Sequence, residues 1–77
     1  MTNKELLYVE DAVNHEISVI SYLESQLDNL NDESIIEYFN EEINVHDKYL
    51  KELLGKMEAL INEWQRYNYK LFIIIKE

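Results

Sequence analysis

The sequence predicts an all-α protein: a long antiparallel helical hairpin, coiled-coil-like along its seam, that dimerises into a four-helix bundle. Three observations carry this. The 77 residues include no proline and a single glycine, so almost nothing breaks a helix. Two stretches space their apolar residues alternately three and four apart, the mark of a helix with a narrow face turned to another helix. One Asn- and Asp-rich break separates the two stretches.

The first helix is expected over about residues 3–30. Thr2 followed by Glu5 reads as a capping box, each side chain meeting the other residue's free N–H. Its seam is Leu6, Val9, Val13, Glu16, Ile20, Leu23, Leu27 and Leu30, with Glu16 as the polar interruption. The turn falls at residues 29–33, where Asn and Asp bond to nearby backbone groups. Asn31 or Asp32 is the expected cap of the next helix. So short a connection makes the helices antiparallel.

The second helix is expected over about residues 33–64, with an extension to 76. Its seam is Ile36, Phe39, Ile43, His46, Leu50, Leu53, Met57 and Leu60, continuing into Trp64, Tyr67, Leu71 and Ile74. Again one position is polar, His46. At about 1.5 Å per residue the second helix outruns the first by roughly 20 Å, leaving Trp64, Tyr67, Leu71 and Ile74 without a partner inside the hairpin. Apolar side chains are each worth about 1.5–3 kcal/mol on burial, so the tail either pairs with a second subunit or bends back after Asn68. The β-branched Ile73-Ile74-Ile75 run lowers helix propensity, which leaves a short terminal strand as an alternative.

A second stripe follows the same spacing beside the first: Tyr8, Ala12, His15, Val19 and Tyr22. Ile35, Tyr49, Leu54 and Ile61 flank the seam of the second helix. An apolar face this wide suits a four-helix bundle of two hairpins, with Tyr8, Tyr22 and the Trp64–Ile74 seam as interface residues. The competing reading leaves the tyrosines as half-exposed rim residues.

The whole chain, 1–77, makes one domain. A core this small is worth only about 3–5 kcal/mol, and such scaffolds draw on disulfides, metal or a partner. There is no cysteine, and the net charge is −9. Residues 1–30 carry one base against six acids, residues 31–55 two against seven, and residues 56–77 four against three. An acidic body repels nucleic acid and anionic lipid, so direct binding to either is not expected. The longest apolar run, Leu71 to Ile75, is far short of the roughly 20 residues of a membrane span. With no leader-like segment at Met1–Glu5, the expected location is the cytoplasm. The bias toward Asn, Ile, Lys, Glu and Tyr fits an AT-rich genome, bacterial or viral.

In a hairpin turning at Asn31 and Asp32, Glu16 and His46 fall in one layer. A carboxylate in such a place is costly unless paired or bound to metal. Three readings fit: a Glu–His pair that fixes register, a layer open to water, or a metal site. Imidazole with carboxylate suits Fe, Mn or Zn. Glu42, one turn before His46, joins such a ligand set, and His15 neighbours Glu16 on the second stripe. A twofold dimer would supply the set twice. No catalytic residues are expected: there is no Gly-rich phosphate loop, and His15-Glu16 has Val19 where a second zinc-binding His would stand.

The run Val9-Glu10-Asp11-Ala12-Val13-Asn14-His15-Glu16, then Tyr22, an acidic turn, and Glu41-Glu42-Ile43-Asn44-Val45-His46 before Tyr49-Leu50 and Leu53-Leu54, resembles half of a ferritin-like or rubrerythrin-like bundle. It is also similar to small helical spore-coat proteins. The resemblance covers about residues 5–60. It implies a metal-binding, di-iron-like relative using Glu16 and His46, and a spore-coat location. The family's di-iron helices carry a Glu three residues before the ligand His, and here that residue is Ile43.

Three functions follow as expectations. The first is a non-catalytic assembly or protein-interaction module, a homodimer of long hairpins. The second is the metal-binding relative. The third is an acidic inhibitor, of viral origin and working in a host cytoplasm, that occupies a basic or nucleic-acid-binding surface of a target protein.

Overall fold

In the computed structural model the described residues are 3–76, with side chains described from 4 to 66. The chain is a helical hairpin of α1 (Asn3–Leu27) and α2 (Glu33–Lys76) packed against each other. The long dimension is 66 Å, which matches α2 as one continuous helix of 44 residues at about 1.5 Å each. α2 stays helical through the Ile73-Ile74-Ile75 run, so the tail neither turns back nor becomes a strand. The side chains of Tyr67, Leu71 and Ile74, and all of Thr2, lie outside the described residues.

α1 stops at Leu27, short of the expected residue 30. The Asn29 N–H donates to the Gln26 carbonyl at 3.0 Å and the Leu30 N–H to the Leu27 carbonyl at 3.2 Å. These three-residue closures tighten the last turn and use carbonyls that the helix would otherwise leave open. Leu30 nevertheless stays half-buried and ends the α1 seam.

α2 begins on Asp32. Its Oδ1 accepts from the Ser34 N–H at 2.9 Å, the Ile35 N–H at 3.3 Å and the Ser34 hydroxyl at 2.6 Å. The Asp32 carbonyl accepts the first helical bond, from the Ile36 N–H at 3.0 Å. One carboxylate thus serves two free N–H groups of the first turn. The Ser34 hydroxyl, then the two N–H groups, hold the Asp32 carboxyl below the ordinary aspartate value. Farther along, Asp47 and Lys51 pair at 2.8 Å across one exposed turn, which raises the lysine's proton affinity.

From Leu6 to Leu30 and from Ile36 to Leu60, the seam residues are half-buried or buried. Among the described residues Val13 alone is buried, at 5 % exposure. A two-helix contact is one side chain deep, so each seam residue is covered by the facing helix and open at its flanks.

Candidate functional site

Glu16 sits at the middle of α1, three residues beyond Val13. His46 sits on α2 between Ile43 and Leu50. Continuous three–four spacing on both helices carries these two side chains into the seam at one level, where Glu16 Oε2 lies 2.5 Å from His46 Nδ1. The side chains are 14 % and 25 % exposed. The sequence-based placement of both in one layer is what the structure has.

Glu42 stands one helical turn before His46, with its Oε2 3.8 Å from His46 Nε2. That is an ion-pair separation and too long for a hydrogen bond. The imidazole therefore lies between two carboxylates, one at each ring nitrogen, and its imidazolium form presents an N–H toward each. Tyr49 meets the same ring edge-on, with centroids 6.0 Å apart and planes at 85°.

This geometry bears on the expected ligand set of Glu16, His46, Glu42 and His15. Glu16 and Glu42 address opposite nitrogens rather than converging beside one lone pair. His15 is exposed on the flanking stripe. Among the described residues no group of three or more His, Asp or Glu side chains is placed to hold a metal ion.

The pair opens toward one side of the hairpin. Because α1 and α2 run antiparallel, turning the same way round each axis from the seam reaches the same side. At 3.6 residues per turn, Tyr8, Ala12, Val19 and Tyr22 lie on that side from α1, and Tyr38, Glu42, Val45 and Tyr49 from α2. Ala12, Val19 and Glu42 are half-buried and form its floor. Tyr8, Tyr22 and Tyr38 stand about 60 % exposed along its edges. The other side carries Glu10, Asn14, Ser21, Asn40, Asp47 and Glu58, among which Leu7, Ile17 and Leu54 are scattered.

Of the expected interface residues, Tyr8, Tyr22 and Trp64 are exposed. Tyr67, Leu71 and Ile74 fall among the undescribed side chains. Sequence reasoning missed Tyr38 and Val45. Their signal was the spacing Tyr38, Glu42, Val45, Tyr49, which repeats the four–three alternation one step round from the seam.

No protein-family model, curated protein or solved structure matches the chain. Among the described residues no helix is long and apolar enough to cross a membrane.

Proposed function

We propose that this chain is a non-catalytic assembly module whose working form is a homodimer of hairpins. One observation carries the reading: among the described residues only Val13 is buried, while Tyr8, Tyr22, Tyr38, Val45 and Tyr49 stand 43–62 % exposed along one side. Chains of this size are marginal as single cores, and association is one of the few remedies open to a sequence without cysteine. Light scattering together with circular dichroism tests it. A particle of twice the chain mass at micromolar concentration is the expected result, and a well-folded monomer there would end the reading.

A second reading rests on a carboxylate and an imidazole meeting in one seam layer, Glu16 and His46: a metal-binding, ferritin-like relative in which the layer holds Fe, Mn or Zn, against which stands Glu42 at the opposite ring nitrogen. Elemental analysis of protein purified without chelator, beside His46→Ala, decides it. Metal lost in the variant supports the site. Equal content in both removes it.

A further inference from the structure

We infer that the second copy docks on the tyrosine-edged side of the hairpin with both turns at the same end, about a twofold axis parallel to the long axis, so that α1 of each copy lies on α2 of the other. This rests on the homodimer reading and adds the surface and the orientation. The surface is of the order a stable pair needs. α1 is about 37 Å long and the hairpin 16 Å wide, an outline of roughly 600 Å² before side-chain relief is counted, against about 800 Å² per partner in a standard interface.

The orientation follows from height along the rod. A twofold axis parallel to the rod keeps every residue at its own level. Glu16 is level with His46, so each α1 residue faces the α2 residues of the other copy that share its level. Ala12 then meets Tyr49 of the other copy, a small side chain against a large one. Val19 falls between Glu42 and Val45, and Tyr22 between Tyr38 and Glu42. Glu5 comes level with Lys56, an acid against a base. The same symmetry repeats every pairing, as an isologous contact requires.

The end of α2 chooses between the two face-to-face arrangements. Asn3 reaches the level of Ala59, so α2 continues for about 25 Å beyond α1. An extension of that length packed on nothing lacks the tertiary contacts that supply most of a helix's stability in a protein. With the turns together, the two extensions leave the same end of the bundle from diagonal corners, about 14 Å apart for helices packed about 10 Å from their neighbours, so a slight convergence beyond α1 gives each a neighbour. With the paired sections turned end for end, each would project past the other copy's turn with nothing beside it.

The chain has no cysteine, so a single Asn31→Cys in the exposed turn takes one nitroxide label per copy. Pulsed electron–electron resonance on the full chain then reads the turn-to-turn distance, and sedimentation equilibrium on the same sample gives its mass. The expected result is a dimer with labels about 20–30 Å apart, two hairpin layers plus the label arms. A dimer with labels about 50 Å apart or more overturns the orientation and leaves the homodimer standing. A folded monomer overturns both and assigns the surface to a different protein. Should Asn31→Cys lower the helix content, a label at the exposed Asn29 repeats the measurement.

Discussion

Glu16 and His46 are thirty residues apart in the chain and 2.5 Å apart in space, in a layer that would otherwise be aliphatic. A polar pair in a seam sets register more than it adds stability, because desolvation offsets most of the attraction. Removing one member alone differs from removing both. His46→Leu leaves the 14 %-exposed Glu16 carboxylate without its donor and is expected to cost about 1–3 kcal/mol. The double variant Glu16→Leu, His46→Leu is expected to equal or exceed the parent in stability, with less uniform association. Urea titrations of the three proteins check this, and a double variant weaker than the single one would contradict it.

Asp32 gives the protein an acid-sensitive cap. Its folded-state carboxyl titrates below its unfolded value, chiefly through the Ser34 hydroxyl. The stability it contributes is therefore fully present above the ordinary aspartate range and is lost as pH falls through the lowered folded value. The melting temperature of Asp32→Ala should lie below that of the parent at neutral pH, and the gap should close as the solution is acidified through that window. A gap that stays constant down to the acid limit would place the contribution elsewhere.

Gly55 lies inside α2, and a Cβ built there meets nothing within 4 Å. Its φ is negative, so alanine fits the backbone unchanged. Gly55→Ala should stabilise the protein by about 0.5–1 kcal/mol, by lowering the entropy of the unfolded chain and favouring helix. Denaturant midpoints measure it, and a loss of stability would show that the position is covered.

Leu50 and Leu54 differ by one turn and by flank. Leu50 follows His46 in the seam, whereas Leu54 is 39 % exposed toward the polar side. Leu50→Ala is expected to cost about 2–5 kcal/mol and Leu54→Ala clearly less. Equal losses in thermal denaturation would contradict the seam assignment.

Tyr49 and Leu7 are 50 % and 57 % exposed, but on opposite sides. Loss of a tyrosine at the centre of an interface commonly costs more than about 1 kcal/mol, so Tyr49→Ala should weaken association about tenfold, while Leu7→Ala should leave it unchanged. Sedimentation of the two variants compares them directly. Leu7→Ala weakening it as much would put the contact on the wrong side.

The hairpin was legible because its information is periodic. The half-buried run from Leu6 to Leu30 and its counterpart from Ile36 to Leu60 coincide with the three–four spacing, and the same count put Glu16 level with His46. Asp32 was legible as a cap because a short acceptor at a break before a helical run has few other uses. The end of α1 was not, since Leu30 continues the apolar spacing although the closures at Asn29 and Leu30 have already ended the helix. Nor was the position of Glu42, whose face could be counted but not the ring nitrogen it meets. Tyr38 and Val45 escaped because a residue one step round from a seam reads as surface until the opposite helix shows its own stripe on the same side.

Thermal unfolding followed by circular dichroism at two concentrations a hundredfold apart tests most directly whether the second copy is part of the fold. If folding and pairing are one event, the more concentrated sample melts higher by roughly 8 °C, from mass action over the unfolding entropy of two such chains. Melting at one temperature in both samples would show a hairpin that stands on its own and would contradict the account.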